Sequence, residues 1–133
     1  MSAAANKQLL QHIYAELALG NSRPFLDSMA EDFSWTVQGS TAWSRTYRGR
    51  HAVREQLLKP LFANFADRYT ATASRILAAD DCVVVECQGR VTTTAGKPYH
   101  NRYCMVYRLA GGQLRELTEY LDTELVTAAL GAP

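Results

Sequence analysis

The feature that most constrains the fold is a run of four strand-like segments in the second half of the chain. They cover residues 69–78, 82–94, 98–109 and 113–121. Apolar and polar side chains alternate along each segment, which is the period of a β-strand with two different faces. The gaps between the segments are short and contain Asp or Gly, as tight turns do. Because turns this short join neighbouring antiparallel strands, the pattern predicts a meander sheet.

The first half of the chain predicts helices. Apolar side chains recur at helical spacing over residues 6–19, and a second, short helix follows from about Pro24. A strand at 32–37 comes next. A third helix is expected after Gly49, and Pro60 is expected to kink or shorten it.

Together these segments predict one α+β domain over residues 1–133, closed by a short helix at 123–130. With 47% hydrophobic residues, the chain is long and apolar enough to bury a core. The helices should pack against one face of the sheet. The opposite face then needs a second partner, and the simplest one is another copy of the same chain.

Composition argues against several classes of function. A net charge of +1 argues against nucleic acid as a partner. No apolar run approaches the roughly 18 residues of a membrane span, and the N-terminus does not resemble a signal peptide, so we expect no membrane partner. The three cysteines lack C-x-x-C spacing, which favours free thiols in a reducing cytoplasm. We predict no cofactor and no metal site, because no His and carboxylate pair has the spacing of metal ligands.

The alternation within the strands indicates where polar side chains gather. Same-face residues of neighbouring antiparallel strands lie side by side. Six polar side chains are predicted to converge on one face: Glu86, Gln88, Arg90, Asn101, Tyr103 and Glu119. A sheet with one solvated face gives the same alternation, and this alternative stays open. If the face curls around a cavity, its polar groups meet a ligand.

Glu119 is the candidate general base. A carboxylate near the end of the last strand would be costly inside a closed core, and it makes better sense in a cavity that a ligand enters. Burial raises the pKa of a carboxyl group toward neutrality, which suits proton transfer. Asn101 and Tyr103 could donate hydrogen bonds to a carbonyl or enolate oxygen. Alternatively, Glu119 accepts hydrogen bonds in a structural network. Asp122 is expected to cap the last helix.

The other predicted ligand contacts surround the expected cavity. They are Tyr14, Trp35, Trp43, Tyr47, Glu86, Gln88, Arg90, Met105, Leu117 and Leu121. Trp35 and Trp43 bracket the loop after the first strand, so Trp43 could cover an apolar ligand. Packing in the core is the alternative for Trp35, and the two roles are compatible. Together, these predicted contact residues indicate that the ligand is a small apolar or aromatic molecule.

Two stretches carry a resemblance to a known family. AEDFSWTVQGS contains the first strand, and GKPYHNRYCMVYRLAGGQLRELTEYLDTELV contains the last two. In these stretches and in the order of its elements, nearly the whole chain resembles the NTF2-like superfamily. It resembles most closely the SnoaL-like branch, whose relatives are polyketide cyclases, ketosteroid isomerases and limonene epoxide hydrolases. The resemblance implies a strongly curved, cone-shaped sheet with about three helices on its concave face. It also implies a pocket for a polyketide-like molecule and a homodimer formed through the convex face.

The ketosteroid isomerases can be compared with this chain position by position. Their first-helix tyrosine falls on Ile13, beside Tyr14. Their base falls near Val37 and their second acid falls within residues 103–105, and none of these positions carries a carboxylate. The chain therefore does not resemble an orthodox ketosteroid isomerase.

The limonene epoxide hydrolases match the C-terminal hairpin better. Their water-activating aspartate falls on Glu119. Their arginine and second aspartate fall near Glu86 and Gln88, and their water-holding pair falls near Trp35 and Val37. The resemblance thus implies a base without the acid that protonates the leaving oxygen, so an orthodox epoxide hydrolase is not expected.

Three functions remain open. The first is acid–base chemistry on an apolar oxygenated compound, of isomerase, cyclase, dehydratase or hydrolase type. Polyketide cyclases carry their acid–base aspartate around the same strand end, so Glu119 or Asp122 could inherit that role. The second is a non-catalytic carrier or sensor of such a compound. The third is a dimeric interaction domain with a vestigial pocket. A cavity with an unpaired Glu119 would favour the first, and an ion-paired Glu119 the second.

Overall fold

The computed structural model describes residues 2–133 as a six-stranded sheet with helices on one face. The helices are α1 (Ala3–Leu17), α2 (Arg23–Asp27), α3 (Arg50–Ala52), α4 (Lys59–Phe62) and α5 (Thr123–Ala129), with a π-helical segment at Val53–Leu58. The strands are β1 (Met29–Val37), β2 (Thr46–Arg48), β3 (Thr70–Ala79), β4 (Cys82–Arg90), β5 (Arg102–Ala110) and β6 (Gln113–Leu121). The predicted α+β architecture is confirmed.

The sheet has the order β2-β1-β6-β5-β4-β3. The predicted meander of β3 to β6 is antiparallel throughout, whereas β1 lies parallel to β6. The short strand β2 was not predicted from the sequence, where its residues were interpreted as a loop. The β3–β4 ladder shifts register at Ser74 of β3 and the β5–β6 ladder at Arg115 of β6, and such irregularities bend and twist the strands that contain them. The resulting sheet is curved, and α1 packs on β3 and β4 at its concave side.

Local signals position both ends of the chain. The Ser2 side chain accepts a hydrogen bond from the Ala5 backbone N–H at 3.1 Å and so caps α1. At the other end, the Asp122 carboxylate accepts from the Leu125 N–H at 3.2 Å. The prediction that Asp122 caps the last helix is confirmed. This cap begins α5 directly after the strand that carries Glu119.

Residues 50–62 form one helical stretch that widens into a π-helix before Pro60. Pro60 has no N–H to donate, and the N–H of the preceding Lys59 reaches back five residues to the Arg54 carbonyl. Pro60 was expected to kink or shorten this helix; the helix instead continues past Pro60 to Phe62 and changes its pitch before it. The wider turn places Leu57 and Leu58 in the core beneath the helix.

The strand pairing decides which side chains face the helices. Val85 pairs with Met105 and Cys87 pairs with Tyr103, so these four side chains share the concave face. The alternate residues of β4 and β5 point to the convex face, where Gln88 pairs with Arg102. The apolar side of β4, which was expected to face away from the site, therefore faces the helices.

The prediction that Glu86, Gln88 and Arg90 face the same way as Tyr103 and Glu119 is wrong. The alternation within each strand was read correctly, but the register between β4 and β5 joins Tyr103 to the opposite side of β4.

Within residues 2–133, no helix combines the length and the apolar character needed to cross a membrane.

Candidate functional site

A cavity of about 280 Å³ lies between the concave face of the sheet and the helices. The buried part of its wall consists of Tyr14, Leu17, Phe25, Trp35, Leu58, Ala71, Cys87, Tyr99, Tyr103, Met105, Tyr107 and Glu119. A more exposed edge, called the rim here, includes Gly20, Ser22, Leu26, Phe62, Asp67 and Arg68. An engineered cavity of roughly 150 Å³ admits benzene, so this volume suits a somewhat larger ring compound.

Glu119 supplies the carboxylate of the buried wall. It lies in β6 between Val37 of β1 and Met105 of β5 and is 7% exposed. The Trp35 indole Nε1–H donates a hydrogen bond to Glu119 Oε1 at 2.9 Å. In the parallel register of β1 and β6, Trp35 pairs with Leu117 and Val37 pairs with Glu119. The side chains of Trp35 and Glu119 are therefore diagonal neighbours on one face of the sheet.

The ionisation of Glu119 reflects its burial. Within the described part of the chain, no cationic side chain lies within ion-pair distance of its carboxylate. Loss of hydration raises the pKa of Glu119 to about 7, and the hydrogen bond from Trp35 opposes this rise. A carboxyl group with this pKa is present in both protonation states near neutral pH. It can therefore accept or return a proton there.

Two tyrosines of the buried wall form a hydroxyl pair. The Tyr14 and Tyr107 hydroxyl oxygens lie 2.7 Å apart, and their rings meet edge to face with centroids 6.4 Å apart. The Cys87 thiol donates a weak hydrogen bond to the Tyr14 hydroxyl over 3.9 Å. Burial raises the pKa of both tyrosines well above their ordinary value. Both hydroxyls therefore remain protonated. One of them donates to the other, which leaves one O–H of the pair free to donate in the cavity.

Asn101 is buried and acts in a structural network. Its amide Nδ2 donates to the Tyr99 hydroxyl and to the Asp122 carbonyl, both at 3.1 Å. Its Oδ1 accepts from the backbone N–H groups of Arg102 at 2.7 Å and Asp122 at 3.1 Å. Asn101 therefore joins the start of β5 to the cap of α5 and orients Tyr99, which lines the cavity. Asn101 itself is not part of the cavity wall.

The structure brings five of the predicted site residues together. Tyr14, Trp35, Tyr103, Met105 and Glu119 all line the cavity. Burial raises the pKa of Tyr103 well above its ordinary value, so its hydroxyl also stays protonated. The wall of the cavity thus offers one carboxyl group among several aromatic hydroxyl donors.

The other predicted contacts lie outside the cavity wall. The Trp43 indole donates to the Gly131 carbonyl at 2.7 Å and holds the end of the chain, so it does not cover the cavity. The Tyr47 hydroxyl donates to the Trp43 carbonyl at 2.8 Å in the core. Leu117 is buried in the core and Leu121 is partly buried, but neither contributes to the wall.

The polar residues predicted from β4 lie on the other side of the sheet. The Glu86 carboxylate pairs with the Arg75 guanidinium on the convex face at 2.7 Å. Gln88 donates a long, 3.5 Å hydrogen bond to the His100 carbonyl, and Arg90 is exposed. None of the three contributes to the cavity wall. Their placement follows from the register that pairs Cys87 with Tyr103.

Several lining residues were missed in the sequence. Tyr99 and Tyr107 share the alternation of Tyr103 and Met105, so extending that pattern in both directions would have found them. Leu58 belongs to a helix, and its contact with the cavity depends on how residues 50–62 pack against the sheet. No pattern within its own helix distinguishes such a residue from an ordinary core residue.

Tyr69 reaches the cavity because Gly89 leaves room for it. A Cβ atom added at Gly89 would overlap the Tyr69 ring and hydroxyl. The Tyr69 ring also stacks on Phe65, with centroids 5.6 Å apart and planes inclined by 12°.

Among residues 2–133, no group of three or more His, Cys, Asp or Glu side chains is arranged to hold a metal ion.

Solved structures with a similar fold cover nearly all of this chain. An NTF2-like protein from Burkholderia thailandensis E264 is 22% identical with a TM-score of 0.80, and the match covers 98% of this chain and 99% of that one. A candidate SnoaL-like polyketide cyclase from Jannaschia sp. CCS1 is 17% identical, with a TM-score of 0.77 and coverages of 98% and 94%. TerC, co-crystallised with polyporic acid, is 16% identical, with a TM-score of 0.78 and coverages of 94% and 97%.

At these identities the structural similarity establishes the fold. A search of curated protein sequences gave no match. The model of one family, described as the SnoaL-like domain, matches residues 10–117 and thus most of the chain. The order of the sheet and the cavity on its concave side agree with the architecture that the resemblance implied. The chain belongs to the SnoaL-like domain family.

Proposed function

We propose that this protein binds a small, largely apolar ring compound with a carbonyl group and catalyses proton transfer on it, with Glu119 as the general base. The observation that carries the proposal is a buried carboxyl group without an ion pair, in a cavity of ligand size, with a pKa raised to about 7. A purely structural carboxylate at this depth would normally have a cationic partner.

The proposed step is abstraction of a proton from the carbon next to the carbonyl group. Glu119 takes the proton, the C–H electron pair forms a carbon–carbon double bond, and the carbonyl π electrons move to oxygen. The enolate oxygen then accepts hydrogen bonds from tyrosine hydroxyls, for which Tyr14, Tyr103 and Tyr107 are the candidates. Return of the proton from Glu119 to the same carbon completes an exchange. In a β,γ-unsaturated ketone, the enolate electrons extend over the neighbouring double bond, so return of the proton to the γ-carbon moves that double bond into conjugation and completes an isomerisation without any cofactor.

Trp35 has a supporting role in this proposal. Its indole N–H donates to one carboxylate oxygen of Glu119 and leaves the other free for the substrate. The hydrogen bond holds the side chain in one orientation and limits the rise of its pKa. TerC, with the same fold, was crystallised with polyporic acid, which supports a small-molecule ligand in this cavity. The three free cysteines support the proposed cytoplasmic location.

Hydrogen–deuterium exchange on 2-tetralone tests the proposal. In D₂O, the wild type should accelerate loss of the proton signals next to the carbonyl above the rate in buffer, as followed by NMR. The rate should rise with pH through about 7, because the base must be ionised. Glu119→Gln should lower the enzymatic rate about 100-fold or more.

The matched control is Glu116→Gln, because Glu116 is exposed and pairs with Arg108 on the convex face. This variant should exchange 2-tetralone like the wild type. Equal rates in the wild type and Glu119→Gln would contradict the role of Glu119. Binding of 2-tetralone without any exchange would favour the alternative function, a non-catalytic carrier or sensor.

We also propose a homodimer formed through the convex face of the sheet. Two large apolar side chains are exposed there, Leu77 at 50% and Tyr120 at 49%. Both charge signs are present on the same face, as in the pairs of Arg75 with Glu86 and Arg108 with Glu116. A second copy presents the same mixture and can complement it across a two-fold axis.

Sedimentation equilibrium tests this assembly. The wild type should have twice the chain mass of 14.8 kDa, whereas Tyr120→Glu should shift toward the monomer. Leu19→Glu is the control, because Leu19 is 73% exposed at the end of α1 and away from the sheet. A monomeric wild type, or a dimer unaffected by Tyr120→Glu, would contradict the proposed interface. A dimer that exchanges no substrate would favour the interaction-domain function.

A further inference from the structure

We propose that the ligand of the cavity is an anion, a ring compound whose carboxylate pairs with Arg68 at the rim. This inference rests on the proposed small-molecule site and adds the charge and the orientation of its ligand. Arg68 contributes to the cavity wall and is exposed, so it lies where the cavity opens to solvent.

The side chain of Arg68 is seated against the end of α1. Gly20 follows that helix with φ of +81°, a backbone conformation that favours glycine. A Cβ atom at Gly20 would overlap the aliphatic part of Arg68. Position 20 therefore needs glycine for its backbone conformation and also for the space that the arginine occupies. This contact holds the Arg68 stem at the rim.

The guanidinium of Arg68 has no acceptor among residues 2–133. None of the five ion pairs includes it, and no side-chain hydrogen bond does. The adjacent Asp67, which also lies at the rim, forms no ion pair with Arg68, and its Oδ1 accepts a hydrogen bond from the Thr92 N–H at 2.8 Å. The rim thus holds a cation that is available to a ligand.

Three carboxyl or guanidinium side chains line the cavity, Glu119 in its buried wall and Asp67 and Arg68 at the rim, and their positions set the orientation of such a ligand. Glu119 belongs to the buried wall, and its pKa reflects burial and Trp35 with no contribution from an arginine. A carboxylate placed beside Glu119 would meet a like charge at a buried position, which is unfavourable. A carboxylate at Arg68 meets an opposite charge that can donate two parallel hydrogen bonds. The neutral, reacting end of the ligand then lies beside Glu119.

Two isosteric probes test this inference, 2-naphthoate and 2-naphthamide, which differ in charge and share the same ring. Titration calorimetry at pH 8 and low salt should show wild-type protein binding 2-naphthoate about fivefold more tightly than 2-naphthamide. Arg68→Gln should abolish this preference without weakening 2-naphthamide. Arg102→Gln, which removes an exposed arginine from the convex face, should retain the preference. Added salt should reduce it in the wild type.

Glu119→Gln reports the orientation in the same titration. Its affinity for 2-naphthoate should stay within about twofold of the wild type. The reason is that the ligand carboxylate pairs with Arg68 at the rim, away from the carboxyl group of Glu119 in the buried wall. A large gain in affinity would place the carboxylate at Glu119 and overturn the inference. A preference for 2-naphthoate over 2-naphthamide that persists in Arg68→Gln would also overturn the inference.

The outcomes separate this inference from the proposed function. Equal binding of both probes by the wild type would reject the anionic ligand and leave the small-molecule site intact. Failure of both probes to bind would reject the inference together with the proposed site.

Discussion

Replacing Glu119 with Gln should stabilise the protein at pH 8. In the folded protein the pKa of Glu119 is raised from 4.5 to about 7, so the folded state binds more protons than the unfolded state between these values. The free energy of unfolding of the wild type therefore falls as pH rises through this window. The titration of Glu119 alone lowers the free energy of unfolding by about 3 kcal/mol across this window. Gln has no proton to lose and keeps an acceptor for the Trp35 indole.

Urea unfolding at pH 4.5 and pH 8 measures this effect. The stability difference between Glu119→Gln and the wild type should grow by about 3 kcal/mol from the lower to the higher pH. Glu86→Gln is the control, because Glu86 is half-exposed and pairs with Arg75 on the convex face. Its stability difference should stay nearly constant. A constant difference for Glu119→Gln as well would show that the Glu119 carboxyl group is hydrated in the folded protein.

Replacing Asn101 with Ala should destabilise the protein by about 4 kcal/mol. The change removes four hydrogen bonds and leaves buried partners around the site unsatisfied, including the Asp122 backbone. It also releases the start of α5 and the hydroxyl of Tyr99. Urea unfolding monitored by circular dichroism gives the magnitude.

Two variants serve as the controls for this prediction. Asn64→Ala removes a single hydrogen bond, from Nδ2 to the Pro60 carbonyl, and should cost about 1 kcal/mol. Asn101→Asp keeps the acceptor oxygen for both backbone N–H groups, but it turns the second oxygen toward the Asp122 carbonyl and adds a buried charge, so it should restore little of the stability that Asn101→Ala loses. A cost for Asn101→Ala no larger than that of Asn64→Ala would contradict the structural role of the network.

Much of the fold could be predicted because local rules govern it. Alternation in the last four strands and the glycines and aspartates between them predicted the meander, and the structure confirms it with changed strand ends. The apolar stripe of residues 6–19 predicted α1. The strand β2 was missed, because its three residues are held by pairing with β1 and carry no pattern of their own.

The candidate site was only partly predictable. Glu119, Trp35, Tyr14, Tyr103 and Met105 were named from the sequence and line one cavity, although their roles remain proposals. Asn101 was predicted to contact the substrate, whereas its amide is occupied by structural hydrogen bonds. A sequence shows which residue can donate a hydrogen bond but not whether a neighbouring backbone already accepts it.

The amino-acid sequence by itself determined the two faces of each strand, the turns between strands and a carboxylate at the end of the last one. Only the tertiary structure decided which face of β4 joins the concave side. Period-two alternation sorts residues within one strand, but the hydrogen-bond register between strands decides which faces coincide, and here Cys87 pairs with Tyr103. The same long-range pairing brings Trp35 to Glu119 across 84 residues and places that carboxyl group in a cavity closed by helices from the other half of the chain.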